Sequence, residues 1–154
     1  MLGKLNARQI ERVLHDAIVG RIGVSAEGNT YVVPITYVYD GDAIYGHSLL
    51  GQKIAMMRKN PRVCFEAEQI DDLANWRTVI AQADFEELGG DLAVAAARLI
   101  AARLGPLTAS DTAGPHPRRP GARYVSYRLR LREKSGRYER KTPSRRRSAP
   151  VTRR

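Results

Sequence analysis

The side chains best able to do chemistry in this chain crowd into one stretch, IYGHSLLGQK at positions 44–53. It places a histidine (His47), a hydroxyl (Ser48), an amide (Gln52) and a lysine (Lys53) around Gly46 and Gly51. The glycines have the spacing of a nucleotide-binding loop, G-x-x-x-x-G-K-[ST]. In such a loop backbone N–H groups cradle phosphates, the lysine reaches the β- and γ-phosphates, and the hydroxyl holds magnesium. Here Gln52 stands in the lysine's place and Lys53 in that of the hydroxyl. A shift of one residue on a helix turns a side chain by about 100°, so an ATP loop is a poor reading. A phosphate site of another kind fits better. Ser48 is a candidate N-cap for a helix over 49–59, and Lys53 falls in the first turns of that helix. A lysine there faces the positive end of the helix dipole, at a cost of roughly 0.3–1 kcal/mol. Two readings stand: an anion held by free N–H groups, Ser48 and Lys53 together, or an exposed lysine pointing to water.

Other chemistries find little support. Cys64 is the only cysteine, which excludes an intrachain disulfide or a cysteine metal cluster, and it reads as an ordinary packed thiol. His15, His47 and His116 fall at no metal-ligand spacing, so no metal site is expected. No paired carboxylates and no Ser/His/Asp set can be assembled. Met56 and Met57 read as helix packing.

The elements that must hold this stretch follow from the hydrophobic pattern. Asn6 caps a helix over 7–17, with Ile10, Val13, Leu14 and Ala17 on one face. GRIGVSA (20–26) alternates, EGNT (27–30) is turn chemistry, and TYVVPITYVYD (30–40) is dense in β-branched and aromatic residues. Asp40-Gly41-Asp42 makes a tight turn into the strand AIYGHS (43–48), so 20–47 reads as a three-stranded antiparallel meander. Asn60-Pro61 stops the 49–59 helix. Strands follow over 62–69 and 76–88, joined by the loop IDDLAN. An alanine-rich helix spans 91–104, residues 105–122 are irregular, and a last strand covers 122–133. Six strands, mostly in hairpins, predict a mainly β chain: a small antiparallel barrel with flanking helices.

With 154 residues the chain can bury one core. No apolar run is long enough to span a membrane, and MLGKLNARQIERVL lacks the apolar centre of a signal peptide, so a cytoplasmic protein is expected. The net charge of +10 is unevenly spread. From Arg118 onward stand 15 Lys/Arg and 2 Asp/Glu, whereas residues 1–117 carry 11 and 14. The expected division is a folded domain over 1–140 and a basic, disordered tail over 141–154. Such a tail either keeps the protein soluble or makes weak, non-specific contact with nucleic acid.

Several segments together carry a resemblance to a known family. They are Gly20-Arg21-Ile22-Gly23, Tyr31-Val32-Val33-Pro34-Ile35-Thr36-Tyr37, Ile44-Tyr45-Gly46-His47-Ser48, Gly51-Gln52-Lys53, Asn60-Pro61-Arg62-Val63-Cys64-Phe65 and Asn75-Trp76-Arg77-Thr78-Val79. In order, spacing and strand context, over roughly residues 5–135, they resemble the flavin-binding split barrels related to pyridoxamine 5′-phosphate oxidase. The nearest likeness is to the branch that includes the nitroimidazole-resistance (Nim-type) reductases. The resemblance implies a six-stranded antiparallel split β-barrel, homodimeric, with FMN bound between two subunits. It implies that backbone around Val33, Pro34, Ile35 and Thr36 edges the isoalloxazine ring. Tyr45, His47 and Ser48 would line the ribityl and phosphate side, Gln52 and Lys53 would hold the phosphate, and Trp76 and Thr78 would complete the site from the partner subunit. His47 is the candidate catalytic residue. The implied activity is reduction of a small electron-poor, nitro-aromatic-like substrate with electrons from NAD(P)H. The alternative is a carrier or sensor module binding a flavin, a deazaflavin or haem without substantial turnover. The extra basic residues and the C-terminal substrate-phosphate site of the classical oxidases are not recognisable here, which argues against pyridoxamine phosphate oxidation.

Overall fold

The computed structural model describes residues 1–108 and 121–141. In chain order these form β1 (Leu2–Lys4), α1 (Ala7–Asp16), β2 (Val19–Ala26), β3 (Asn29–Thr36), β4 (Val38–Tyr39), β5 (Ala43–Leu49), α2 (Gln52–Lys59), β6 (Arg62–Asp72), β7 (Asn75–Leu88), α3 (Gly90–Thr108) and β8 (Tyr124–Glu139). Helix α1 begins as its sequence demands. The Asn6 side chain accepts from the Gln9 amide at 3.0 Å, and the Gln9 side chain accepts from the Asn6 amide at 2.9 Å, a reciprocal cap. Ile10, Val13 and Leu14 are its buried face.

All strands join one antiparallel sheet, bonded in the order β3–β2–β6–β7–β8–β5–β4, with β1 beside β8. The two ends of this path are consecutive in the chain, because Tyr37 alone separates β3 from β4. Segment 29–39 therefore pairs with β2 through one half and with β5 through the other. Each of the six expected strands is present. The count is eight because segment 30–40 bends into two, and because Leu2–Lys4 pairs with the far end of β8. The hydrogen-bonded path itself stays open between β3 and β4.

Tyr37 fixes the bend. Its amide donates to Ile18 O at 3.1 Å and its hydroxyl to Leu14 O at 2.9 Å. Its ring meets Phe65 edge-on at 4.9 Å. Around it lies the core, built from alternate strand residues (Ile22, Val24, Phe65, Ala67, Val79, Leu129) closed by Val13 and Leu14 of α1 and Ile54 and Met57 of α2. The register of β8 on β7 slips between Gln82 and Ala83. The bulge reverses which residues of β8 face the core, and Lys134 thereby reaches Glu11 of α1 and the Tyr39 hydroxyl.

Four expectations are corrected. The helix expected over 49–59 begins at Gln52, because Ser48 and Leu49 stay in β5, paired with Val125 and Tyr124. The loop expected over 70–75 shrinks to a turn, since β6 runs to Asp72 and β7 starts at Asn75. Helix α3 continues through Gly105 and Pro106 to Thr108, losing the one bond that a proline cannot donate. The last strand runs on to Glu139, because β7 and β1 offer it partners beyond residue 133. The rest of the irregular segment, with His116, and residues 142–154 of the basic tail lie outside the described residues.

Packing fixes one glycine of the IYGHSLLGQK stretch. In β5, Gly46 lies opposite Tyr127, and a Cβ there would come within 2.4 Å of the Tyr127 ring. Tyr127 is fully buried and has nowhere to move. Gly46→Ala should therefore destabilise the fold by about 1–3 kcal/mol through overpacking. Gly89→Ala meets nothing within 4 Å and should be neutral or stabilising by at most ~1 kcal/mol. Urea unfolding of the two variants checks the contrast.

Candidate functional site

The phosphate-loop look-alike resolves into two unrelated pieces. Gly46 is a packing glycine within a strand. Gly51 is the N-cap of α2 in extended conformation, with no side chain capping the helix. Ser48 does not cap it, because it belongs to β5 and its hydroxyl donates to Leu49 O at 3.1 Å. The helix start is thus bare. The first helical bond runs from the Ala55 amide to Gly51 O, and the N–H groups of Gln52, Lys53 and Ile54 lie outside the helical ladder. Gln52 is exposed, and its side chain makes a long contact to the Met56 sulfur at 3.9 Å.

Lys53 is half-buried as the second residue of this helix. Burial holds its ammonium below the ordinary lysine pKa. Among the described residues no carboxylate or hydrogen-bond acceptor compensates it. A desolvated cation beside bare N–H groups is the arrangement that an anion would complete.

The segment Val33–Thr36 lies in β3, which bonds to β2 on one side and to no described strand on the other. Ile35 is buried and Val33 half-buried toward the core, whereas Pro34 and Thr36 are exposed on the other face. Pro34 stands opposite Arg21. A proline suits such an edge, where a missing N–H disturbs no ladder.

Strand alternation splits the β5 residues. Tyr45 and His47 share one face, and Ser48 lies on the other with Gly46. His47 Nδ1 lies 3.1 Å from Ser126 Oγ, and its ring stacks on Tyr124 at 5.2 Å. Burial raises the Tyr45 pKa, helped by its hydrogen bond to Asp40.

Trp76 and Thr78 both point to the sheet face away from the core. There the Trp76 ring N–H donates to Glu139 at 3.2 Å and the Thr78 hydroxyl donates to Glu66 at 3.0 Å. The same carboxylate accepts from Arg21 at 3.0 Å, and Glu68 accepts from the same Arg21 nitrogen at 2.7 Å. Sequence reasoning missed Arg21, Glu66 and Glu68. Their polar face was visible in the alternation of β2 and β6, but the register joining them was not. Among the described residues of a single chain, the candidate residues lie on both faces of the sheet and at the start of α2. Two surface clefts among the described residues involve other side chains: Ser25, Ala26, Glu27, Lys59 and Asn60 in one, and His15, Asp16, Ala17, Tyr37, Val38, Tyr39 and Arg103 in the other. No helix among the described residues is long and apolar enough to cross a membrane.

Comparison with known proteins gives these features a setting. The family model for pyridoxamine 5′-phosphate oxidase matches residues 6–138. A FAD-binding protein from Mesorhizobium loti is 29% identical, with a TM-score of 0.72 over 90% of this chain and 98% of its own. A candidate 5-nitroimidazole antibiotic resistance protein from Bacteroides thetaiotaomicron shares the fold, with a TM-score of 0.68 over 90% of this chain and 87% of its own at 19% identity. An uncharacterized protein of Rhizobium meliloti is 29% identical over 84 residues, covering 54% of this chain. The chain thus spans 56% of the length of that curated relative.

Lys53 carries a prediction about the ligand-free protein. Its folded pKa lies below the ordinary 10.5, so between the two values the unfolded chain binds more protons and stability rises with pH. Lys53→Met should raise the urea midpoint of the ligand-free protein near neutral pH and flatten that alkaline rise. A lower midpoint would mean that the ammonium already has a partner.

Proposed function

The chain belongs to the pyridoxamine 5′-phosphate oxidase family, and on that premise we propose that it is a flavin-dependent oxidoreductase that binds FMN. The observation that carries the proposal is Lys53, a half-buried ammonium with no compensating partner among the described residues, at the bare start of α2. Its charge and the adjacent N–H groups fit the terminal phosphate of FMN, a dianionic monoester that a helix N-terminus favours. Gln52 adds a neutral donor beside it. The free edge of β3 at Val33–Thr36 offers backbone to a planar ring, and Pro34 keeps that edge from pairing with another strand. The similarity to a FAD-binding protein supports a flavin as the ligand class.

A bound flavin supplies the hydride chemistry itself. The chain's residues hold, orient and enclose it. His47, held by Ser126 and stacked on Tyr124, is a rigid pocket wall and the candidate proton donor to a small electron-poor substrate. NAD(P)H is the proposed electron source.

The proposed assembly is a homodimer of split barrels. Val19, Val32, Ile70 and Ile80 are exposed on the face of β2, β3, β6 and β7 that no helix among the described residues covers. A two-fold partner would bury this face and bring Trp76 and Thr78 against the other subunit's flavin. The split into a domain over 1–140 and a dispensable basic tail belongs to the same proposal.

Binding of FMN and riboflavin to wild type and Lys53→Ala tests the phosphate site. A charged hydrogen bond is worth roughly 1.5–3 kcal/mol, so the substitution should weaken FMN by about tenfold to a hundredfold and leave riboflavin nearly unchanged. Equal losses would assign Lys53 to the fold or the ring. Extraction of the bound cofactor distinguishes FMN from FAD, a deazaflavin or haem. Reduction of the bound flavin by a nicotinamide separates an enzyme from a carrier. Light scattering that shows a monomer at micromolar concentration would overturn the dimer.

A further inference from the structure

The polar network on the sheet face away from the core has a direction imposed by its protons. Arg21, Glu66 and Thr78 lie on three adjacent strands, β2, β6 and β7, and Pro34 on β3 stands directly opposite Arg21. Both oxygens of Glu66 are engaged, Oε2 by Arg21 and Oε1 by Thr78. A carboxylate only accepts hydrogen bonds, and a threonine hydroxyl has one proton to give. That proton is spent on Glu66, so Thr78 Oγ1 meets any further group with lone pairs only. Arg21 is engaged through Nη1 alone, and no other described residue takes its remaining N–H groups. The network therefore presents an acceptor, Thr78, and a donor, Arg21, fixed as neighbours by one carboxylate.

We propose that Glu66 is a positioning residue that makes Thr78 an obligate hydrogen-bond acceptor, so that the ligand group meeting Thr78 is an N–H flanked by a carbonyl. This rests on the flavin reading above. The oxidised isoalloxazine ring carries a single N–H, the imide at N3, with a carbonyl on each side. Its imide edge complements the Thr78–Arg21 pair, N–H to Thr78 and carbonyl to Arg21.

The test compares FMN with its N3-methyl derivative, which keeps the phosphate, the ribityl chain and both carbonyls but has no N–H to donate. Binding is read by quenching of flavin fluorescence in wild type, Thr78→Val and Glu66→Gln. Wild type should prefer FMN by about tenfold, the scale of one hydrogen bond lost with its acceptor left unpaired. Thr78→Val, similar in shape, should lose that preference. In Glu66→Gln the amide oxygen goes to Arg21 and the NH₂ group donates to Thr78, which frees the hydroxyl proton for a flavin carbonyl. The preference should then fall to about threefold or less. A preference of equal size in all three proteins would be steric and would overturn the proposal, as would a wild type that binds both ligands alike. A wild type that takes up neither would overturn the flavin reading as well.

Discussion

The bend at Tyr37 is the constraint on which the rest of the molecule depends. One continuous segment, Asn29 to Tyr39, has to serve both ends of the hydrogen-bonded sheet, because β3 pairs with β2 and β4 with β5. A strand cannot change partners without a corner, and a corner leaves backbone and side-chain groups to be satisfied. Tyr37 satisfies them from inside, with its amide on Ile18 and its hydroxyl on the last turn of α1. Burial raises the Tyr37 pKa, so the phenol stays a neutral donor to the Leu14 carbonyl. The same residue thus ties helix α1, the sheet corner and Phe65 together. The outer edge of β3 runs directly into this anchor, so the backbone of Val33–Thr36 is tied at its end although no described strand pairs with it from outside.

Polar groups are distributed with the same economy. Among the described residues the core buries no charged side chain. Ion pairs gather on the outer face and along β8, where Arg128 forks onto Glu86 and Arg132 meets Asp84. Most of these pairs are solvent-exposed and contribute little to stability. Two cationic positions depart from the pattern. Lys134 is turned inward by the β8 bulge and compensated by Glu11 and Tyr39. Lys53 is partly desolvated and has no compensating partner among the described residues. The first is a structural tie and the second a cost to the folded chain, which is why only the second points toward a ligand.

Much of this was legible in the sequence. The Asn6–Gln9 cap, the faces of α1, and the alternation of 62–69 and 76–88 each rest on local rules that tertiary contacts reinforced. Failures came where a distant partner outweighed a local signal. Ser48 is a good cap by type, yet it stays in β5 because Val125 offers it a strand partner. Gly105-Pro106 reads as a break, yet α3 carries on for a last turn. The Arg21–Glu66–Thr78 network required the register of three strands at once, and no periodicity in one strand encodes it. The place of Lys53 in the first turn of α2 was legible because a lysine at the positive end of a helix is a local signal.

The near-miss loop shows why spacing alone is a weak guide to chemistry. Gly46 and Gly51 match a nucleotide-binding pattern in sequence, but they sit in different elements and only Gly46 is required by packing. Gly46 makes room for the Tyr127 ring, and Gly51 ends the approach to α2 in an extended conformation with no side chain over the first N–H groups. A capping side chain at Gly51 would occupy the donors that an anion needs. The uncapped start, which costs the isolated helix some stability, leaves those donors open beside Lys53. The two glycines thus serve separate elements, and the second of them, by not capping its helix, leaves open the donors that the proposed phosphate site requires.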